Sequence, residues 1–128
     1  MPKPDVEQEY RSNLCDLNGF TQKGSWLTET YKPFITREVK GKVVPENIDG
    51  IWHDDLPEFE IRAMGKGTPI HRTQADKNGS FSIKNIPEGI YCFYMSCDGW
   101  EDNLGVIIVD KEADRKKTIS ILIHRDYH

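Results

Sequence analysis

The sequence predicts an all-β fold: a β-sandwich of about seven strands, antiparallel or mixed, with an irregular N-terminal extension. Two observations carry this. Between residues 37 and 124, short apolar or alternating runs are separated by Gly, Pro, Asn and Asp, and almost nothing has helical periodicity. Within that span, residues 76–99 read as turn, strand, turn, strand, turn. Asn78-Gly79 is a strong hairpin signal, because both residue types tolerate positive φ. Phe81 and Ile83 alternate with Ser80, Ser82 and Lys84, so one face is apolar and the other wet. Pro87 then interrupts the ladder, and Gly89 permits a turn. Residues 90–97 are apolar on both faces, as a central strand covered on both sides must be.

Residues 1–36 form the extension, and its first 12 residues, polar and Pro-rich at the start, are expected to be a mobile tail. Asn18-Gly19 and Lys23-Gly24 mark turns. Trp26-Leu27-Thr28-Glu29-Thr30-Tyr31 has strand composition and is expected to add one strand to an edge. The sandwich domain spans residues 37–124. In its first strand Val39, Gly41 and Val43 alternate with Glu38, Lys40 and Lys42. Residues 45–57 form a long loop. Phe59, Ile61 and Ala63 mark the second strand, Gly65-Lys66-Gly67 a turn, and residues 70–75 a third strand at an edge. The fourth, fifth and sixth strands fall at residues 80–84, 90–97 and 104–109. Residues 110–117 are a charged turn, with one helical turn expected at Glu112-Ala113-Asp114. The seventh strand, residues 118–124, points Ile119, Ile121 and Ile123 one way, and residues 125–128 are a tail.

A length of 128 residues suits one domain. The net charge of −4 argues against nucleic acid, whose phosphates call for excess Lys and Arg. No apolar run reaches the roughly 18 residues a membrane span needs. The start, Met1-Pro2-Lys3-Pro4-Asp5, lacks the apolar core of a signal peptide, which fits a cytoplasmic protein and equally a secreted one without its leader. Three cysteines do not make a closed disulfide framework. Cys92 and Cys97 lie about 16 Å apart along one strand, beyond the roughly 7 Å that a disulfide tolerates. Cys15 can therefore pair with at most one of them, and the expectation is three buried or idle thiols.

The order Val39-x-Gly41-x-Val43, Phe59-x-Ile61, Asp76-x-Asn78-Gly79-x-Phe81-x-Ile83, Ile86-Pro87-x-Gly89-x-Tyr91, Gly99-Trp100 and Ile119-x-Ile121 resembles the carboxypeptidase regulatory-like domain. That resemblance implies a transthyretin-like (prealbumin-type) sandwich over residues 37–124. Such domains are mostly accessory modules of secreted or surface proteins, so it implies a fold and no reaction. The matching positions have structural work: Gly41 lets a facing side chain come close, Asn78-Gly79 closes the hairpin, and Tyr91 resembles a corner tyrosine whose hydroxyl needs a partner. The chain departs from the family in the long 45–57 loop and before residue 37. The residues that give related domains their chemistry are missing. His53, His71, His124 and His128 show no zinc-ligand spacing, the C-terminus lacks the Tyr-Arg-Gly-Ser of hydroxyisourate hydrolases, and the last strand has no Asn for an isopeptide bond.

The candidate binding residues are Trp52, His53, Asp54 and Asp55 in the long loop, with Trp100 after the fifth strand. An exposed indole beside hydrogen-bonding groups is what a carbohydrate site requires, although Trp100 also suits a structural plug. Asp76-x-Asn78 lacks the closing Glu of a calcium loop, since Pro87 stands there. Asn78-Gly79-Ser80 is a formal glycosylation sequon. His53 has no Ser or Cys nucleophile in its segment, and Arg115-Lys116-Lys117 reads as a solvated turn. The expectation is a non-catalytic module, structural or ligand-presenting, extracellular, periplasmic or at the cell surface. It would have no cofactor and no metal. Its partner would be an unidentified protein or a polysaccharide, and the strand at residues 70–75 leaves room for an edge-strand homodimer. A carbohydrate-binding module is the second reading, and a small hydrolase is disfavoured.

Overall fold

The computed structural model describes residues 14–47, 49–53, 55–65 and 70–125. The expectations for the first 12 residues, for Asp54 and for Lys66-Gly67 lie outside the described residues. Within them the chain forms nine strands and no α-helix. They are β1 (Leu27–Glu29), β2 (Phe34–Thr36), β3 (Val39–Pro45), β4 (Glu58–Ala63), β5 (His71–Gln74), β6 (Ser80–Ile83), β7 (Gly89–Ser96), β8 (Asp102–Val109) and β9 (Ile119–Ile123). All seven strands read from the alternation are present. The extension adds two short strands where one was expected.

The strands make two mixed sheets, as an all-β sandwich requires. The larger runs β1-β8-β7-β4-β5, with β2 also pairing β8; β1 and β2 lie parallel to β8 and the other pairs are antiparallel. The smaller runs β6-β3-β9, antiparallel then parallel. The inner faces meet through the odd-numbered residues of the alternating strands: Phe59 and Ile61 from β4, Phe93 and Met95 from β7, Val39 and Val43 from β3, and Ile119, Ile121 and Ile123 from β9. Phe59 sits at the centre, stacked on Phe81 at 4.1 Å and Phe93 at 5.3 Å. Burying each such side chain contributes about 1.5–3 kcal/mol.

Three local expectations are corrected. Asp76–Gly79 is a turn, but only Gly79 has positive φ, at 81°. Asp76 Oδ1 accepts the N–H groups of Asn78 and Ser80, and Gly79 N donates to Asp76 O, so the aspartate side chain builds the turn. The turn does not close a ladder within one sheet: β5 belongs to the larger sheet and β6 to the smaller, so it carries the chain across the sandwich. The expected helical turn at Glu112-Ala113-Asp114 is instead part of two hydrogen-bonded turns, closed by Ala113 N to Asp110 O and Lys117 N to Asp114 O.

Tyr91 behaves as a corner tyrosine, its hydroxyl donating to Pro87 O at 2.7 Å. Pro87 lies outside the strands, and Gly89 opens β7 opposite Val109 rather than forming a turn. Strand β5 does occupy an edge, and it is only four residues long with His71 and Arg72 exposed. Gly41 is needed for backbone approach, not for a facing side chain: a Cβ there would lie 1.9 Å from Ile119 O, its register partner on β9. We expect Gly41→Ala to destabilise the fold by about 2–3 kcal/mol, an overpacking cost. A urea midpoint left unchanged in that variant would show that β3 and β9 do not approach this closely.

Candidate functional site

The long loop between β3 and β4 folds back on the sandwich instead of projecting. Asn47 Oδ1 accepts Gly50 N, and Asp49 Oδ1 accepts Ile51 N, which coils the loop tightly. Trp52 N donates to Lys77 O and its Nε1 to Val43 O at 2.8 Å, fixing the indole beneath the Asp76–Gly79 turn. Gly79 is required here, since a Cβ would lie 2.0 Å from Val43 O and 3.0 Å from the Trp52 ring nitrogen. Trp52 is only 2% exposed and Trp100 9%. Their rings meet edge to face, 4.9 Å apart, and the Arg125 guanidinium lies 5.7 Å from the Trp100 ring. Both indoles are therefore core residues, and the expected aromatic platform for a sugar is not formed by them. A buried indole must satisfy its N–H, and a β3 carbonyl does so for Trp52.

The other candidates separate. His53 is exposed, its Nε2 2.5 Å from Asp49 Oδ2. The Ile51 amide, and after it His53, hold the Asp49 carboxyl below the usual carboxylate range. Asp55 is exposed, and its carbonyl accepts the Cys97 thiol at 3.1 Å. Burial pushes that thiol up to about 12, so it stays protonated and unreactive at neutral pH. Asp54 lies outside the described residues. Among the described residues no three His, Cys, Asp and Glu side chains are placed to hold a metal.

The densest polar constellation lies elsewhere, on the outer face of the larger sheet. There the residues of β4, β7 and β8 that point away from the sandwich core include Glu60, Cys92, Tyr94, Asp102 and Leu104, all buried. The cover is the extension. Phe20 stacks on Tyr94 at 5.7 Å, and Cys15 and Leu17 pack beside it. The Arg62 guanidinium lies 4.7 Å from the Phe20 ring and donates to the carbonyls of Asn18 and Asp16. Glu60 is fully buried and accepts Thr21 N at 2.7 Å, Thr21 Oγ1 and Arg72 Nε. Asp102 accepts Lys23 N, Gly24 N at 2.8 Å and the Tyr94 hydroxyl at 2.5 Å. Burial, then Asp102, drives the Tyr94 phenol well above its ordinary value. Lys23 Nζ reaches Glu58 Oε1 at 3.1 Å, which raises the Lys23 ammonium.

A disulfide joins Cys15 to Cys92 across this face, with Cα atoms 5.8 Å apart. This corrects the expectation of three idle thiols, and Cys97 alone is free. A signal for it was present. A strand apolar on both faces needs a cover, and Leu14, Cys15, Leu17 and Phe20 are apolar residues that no other element claims. No model of a known protein family matches the chain, and no curated protein matches its sequence.

Two outcomes follow. Cys92→Ser should lower stability by about 2–5 kcal/mol, because the bridge closes a long loop of the unfolded chain; chemical denaturation with and without reductant measures this, and equal midpoints would count against the bridge. At the mouth of the loop, the exposed His124 donates through Nδ1 to the Glu46 carboxylate, which raises the imidazole above 6.5. That pair stabilises the fold fully below pH 6.5 and fades as pH rises through the raised value. An NMR titration should show His124 titrating above 6.5 and at a lower pH in Glu46→Gln than in the wild type.

Proposed function

We propose that the chain is a non-catalytic β-sandwich module, of the carboxypeptidase regulatory-like, transthyretin-like type, that works outside the cytoplasm and presents a ligand or partner from rigid loops. The observation that carries this reading is the Cys15–Cys92 disulfide. Structural disulfides persist in oxidising compartments and are rare where thioredoxin and glutathione keep thiols reduced. The disposition of the reactive side chains supports the absence of chemistry. Glu60, Asp102 and Tyr94 hold the extension in place, Cys97 is a buried protonated thiol, and Trp52 and Trp100 fill the core. Carbohydrate binding through those two indoles is not favoured, because neither ring is open to a sugar. A small hydrolase would need His53 as base, and its near neighbour is the Asp49 carboxylate.

Thiol alkylation and peptide mapping of protein exported to an oxidising compartment test the reading. In protein denatured without reductant we expect one alkylated cysteine, Cys97, and one linked pair; in the native protein we expect residues 15–36 to resist protease until reductant is added. Three alkylatable thiols in the exported protein denatured without reductant would sink it. So would saturable hydrolytic turnover that His53→Ala abolishes.

A further inference from the structure

The end of the sandwich away from the tryptophan pair carries a cleft of about 220 Å³ lined by Arg37, Glu38, Lys40, Arg115 and Lys117. Four cations against one carboxylate is an unusual balance in a chain whose net charge is −4. The cations come from three places: Arg37 from the link between β2 and β3, Lys40 from β3, and Arg115 and Lys117 from the β8–β9 connection. Convergence of that kind on one concavity focuses a positive potential.

The walls are built, not loose. Asp110 N donates to Thr36 O at 2.8 Å, which ties the β8–β9 connection to the end of β2. Lys116 N donates to Asp114 Oδ1 and Lys117 N to Asp114 O, fixing the turn that bears Arg115 and Lys117. Thr36 Oγ1 donates to Glu38 O. Arg37 Nε donates to Ala113 O at 3.1 Å, so the guanidinium is oriented before any ligand arrives. A guanidinium has five N–H donors in a rigid fork, and one of them sets its direction here. The one carboxylate among the lining residues, Glu38, pairs with Lys40 at 3.2 Å with both side chains well exposed. An exposed pair of that kind contributes little and exchanges readily for a ligand anion.

Lys117 is shared with a second groove of about 330 Å³, whose other walls include Phe34, Ile35, Thr30 and Thr118. The combined surface offers clustered cations for oxyanions, then apolar surface and hydroxyls beside them. A chain of sugar rings bearing regularly placed carboxylate or sulfate groups presents the complementary sequence of features. We propose that this composite cleft binds an acidic polysaccharide, one oxyanion seated among Arg37, Lys40, Arg115 and Lys117 and the adjoining ring lying along Phe34 and Ile35. The inference rests on the reading of the chain as a ligand-presenting module of an oxidising compartment.

Calorimetric titration of the folded protein, its disulfide first confirmed by peptide mapping, tests the proposal. The probes are heparin for sulfate, polygalacturonate for carboxylate, neutral dextran, poly-L-glutamate and single-stranded DNA. We expect saturable binding to at least one acidic polysaccharide, weakening as salt rises, and none to dextran. Lys117→Glu should lower affinity on the order of tenfold or more, while Lys77→Glu, the same charge change on the distant turn, should leave it unchanged. Arg115→Gln with Lys117→Gln serves if the charge reversal impairs folding. Binding to heparin alone or to polygalacturonate alone supports the proposal and identifies the oxyanion. Absence of binding to both acidic polysaccharides, equal loss in Lys77→Glu, or equally tight binding to poly-L-glutamate or DNA overturns it. An intact disulfide with no glycan binding removes the cleft assignment alone, whereas three free thiols remove the module reading beneath it.

Discussion

Strand β7 is buried on both faces, so the larger sheet needs a cover as well as a partner. The smaller sheet covers one side through Phe93 and Met95. On the other side Met64 and Ile70 reach the margin of the Cys92 and Tyr94 cluster, and the preceding segment supplies most of the cover with Cys15, Leu17, Phe20 and Leu27. The extension is thus a third layer over the outer face, followed by two strands along the β8 edge. Without it, Tyr94, Leu104 and two carboxylates would face water on a sheet composed to be dry.

How that layer is held also specifies where it sits. Removing a carboxylate from water costs several kcal/mol unless donors replace the lost hydration. Glu60 meets Thr21 and Arg72, and Asp102 meets Lys23, Gly24 and Tyr94. Three of those six donor groups are backbone amides of the extension, those of Thr21, Lys23 and Gly24. A slip of one residue would leave a buried charge without partners, so the carboxylates fix the register that packing of Phe20 alone would leave loose. The disulfide then ties the start of the layer to β7, the strand it protects. Glu101 repeats the device further along, accepting from Trp26, Thr28 and the His124 amide.

The two ends of the sandwich divide their work. At one end the long loop closes over the core, and the Trp52–Trp100 contact seals it. At the other, the link after β2 and the connection after β8 are tied together by hydrogen bonds and leave an open, cationic concavity. Residue type misleads at the first end, where tryptophan in a loop reads as a binding residue, whereas the three-residue basic run at the other is the exposed turn it reads as. In the folded chain the indoles are inside, and Arg115 and Lys117 share a cleft with Arg37 and Lys40.

The sequence by itself determined the strands, because alternation with a period of two is a local property. Phe59 and Ile61, Phe81 and Ile83, and Ile119, Ile121 and Ile123 each announce an inner face within a few residues. The β7 run even announced that its second face must be dry. Tertiary structure decided what covers that face, which cysteine meets Cys15, where the Trp52 ring points and which cations converge. These outcomes depend on groups far apart in the chain: 77 positions separate the linked cysteines, and 39 separate Thr21 from Glu60. No local pattern encodes such pairings. They follow from the entropy of closing long loops being offset only when whole faces pack at once.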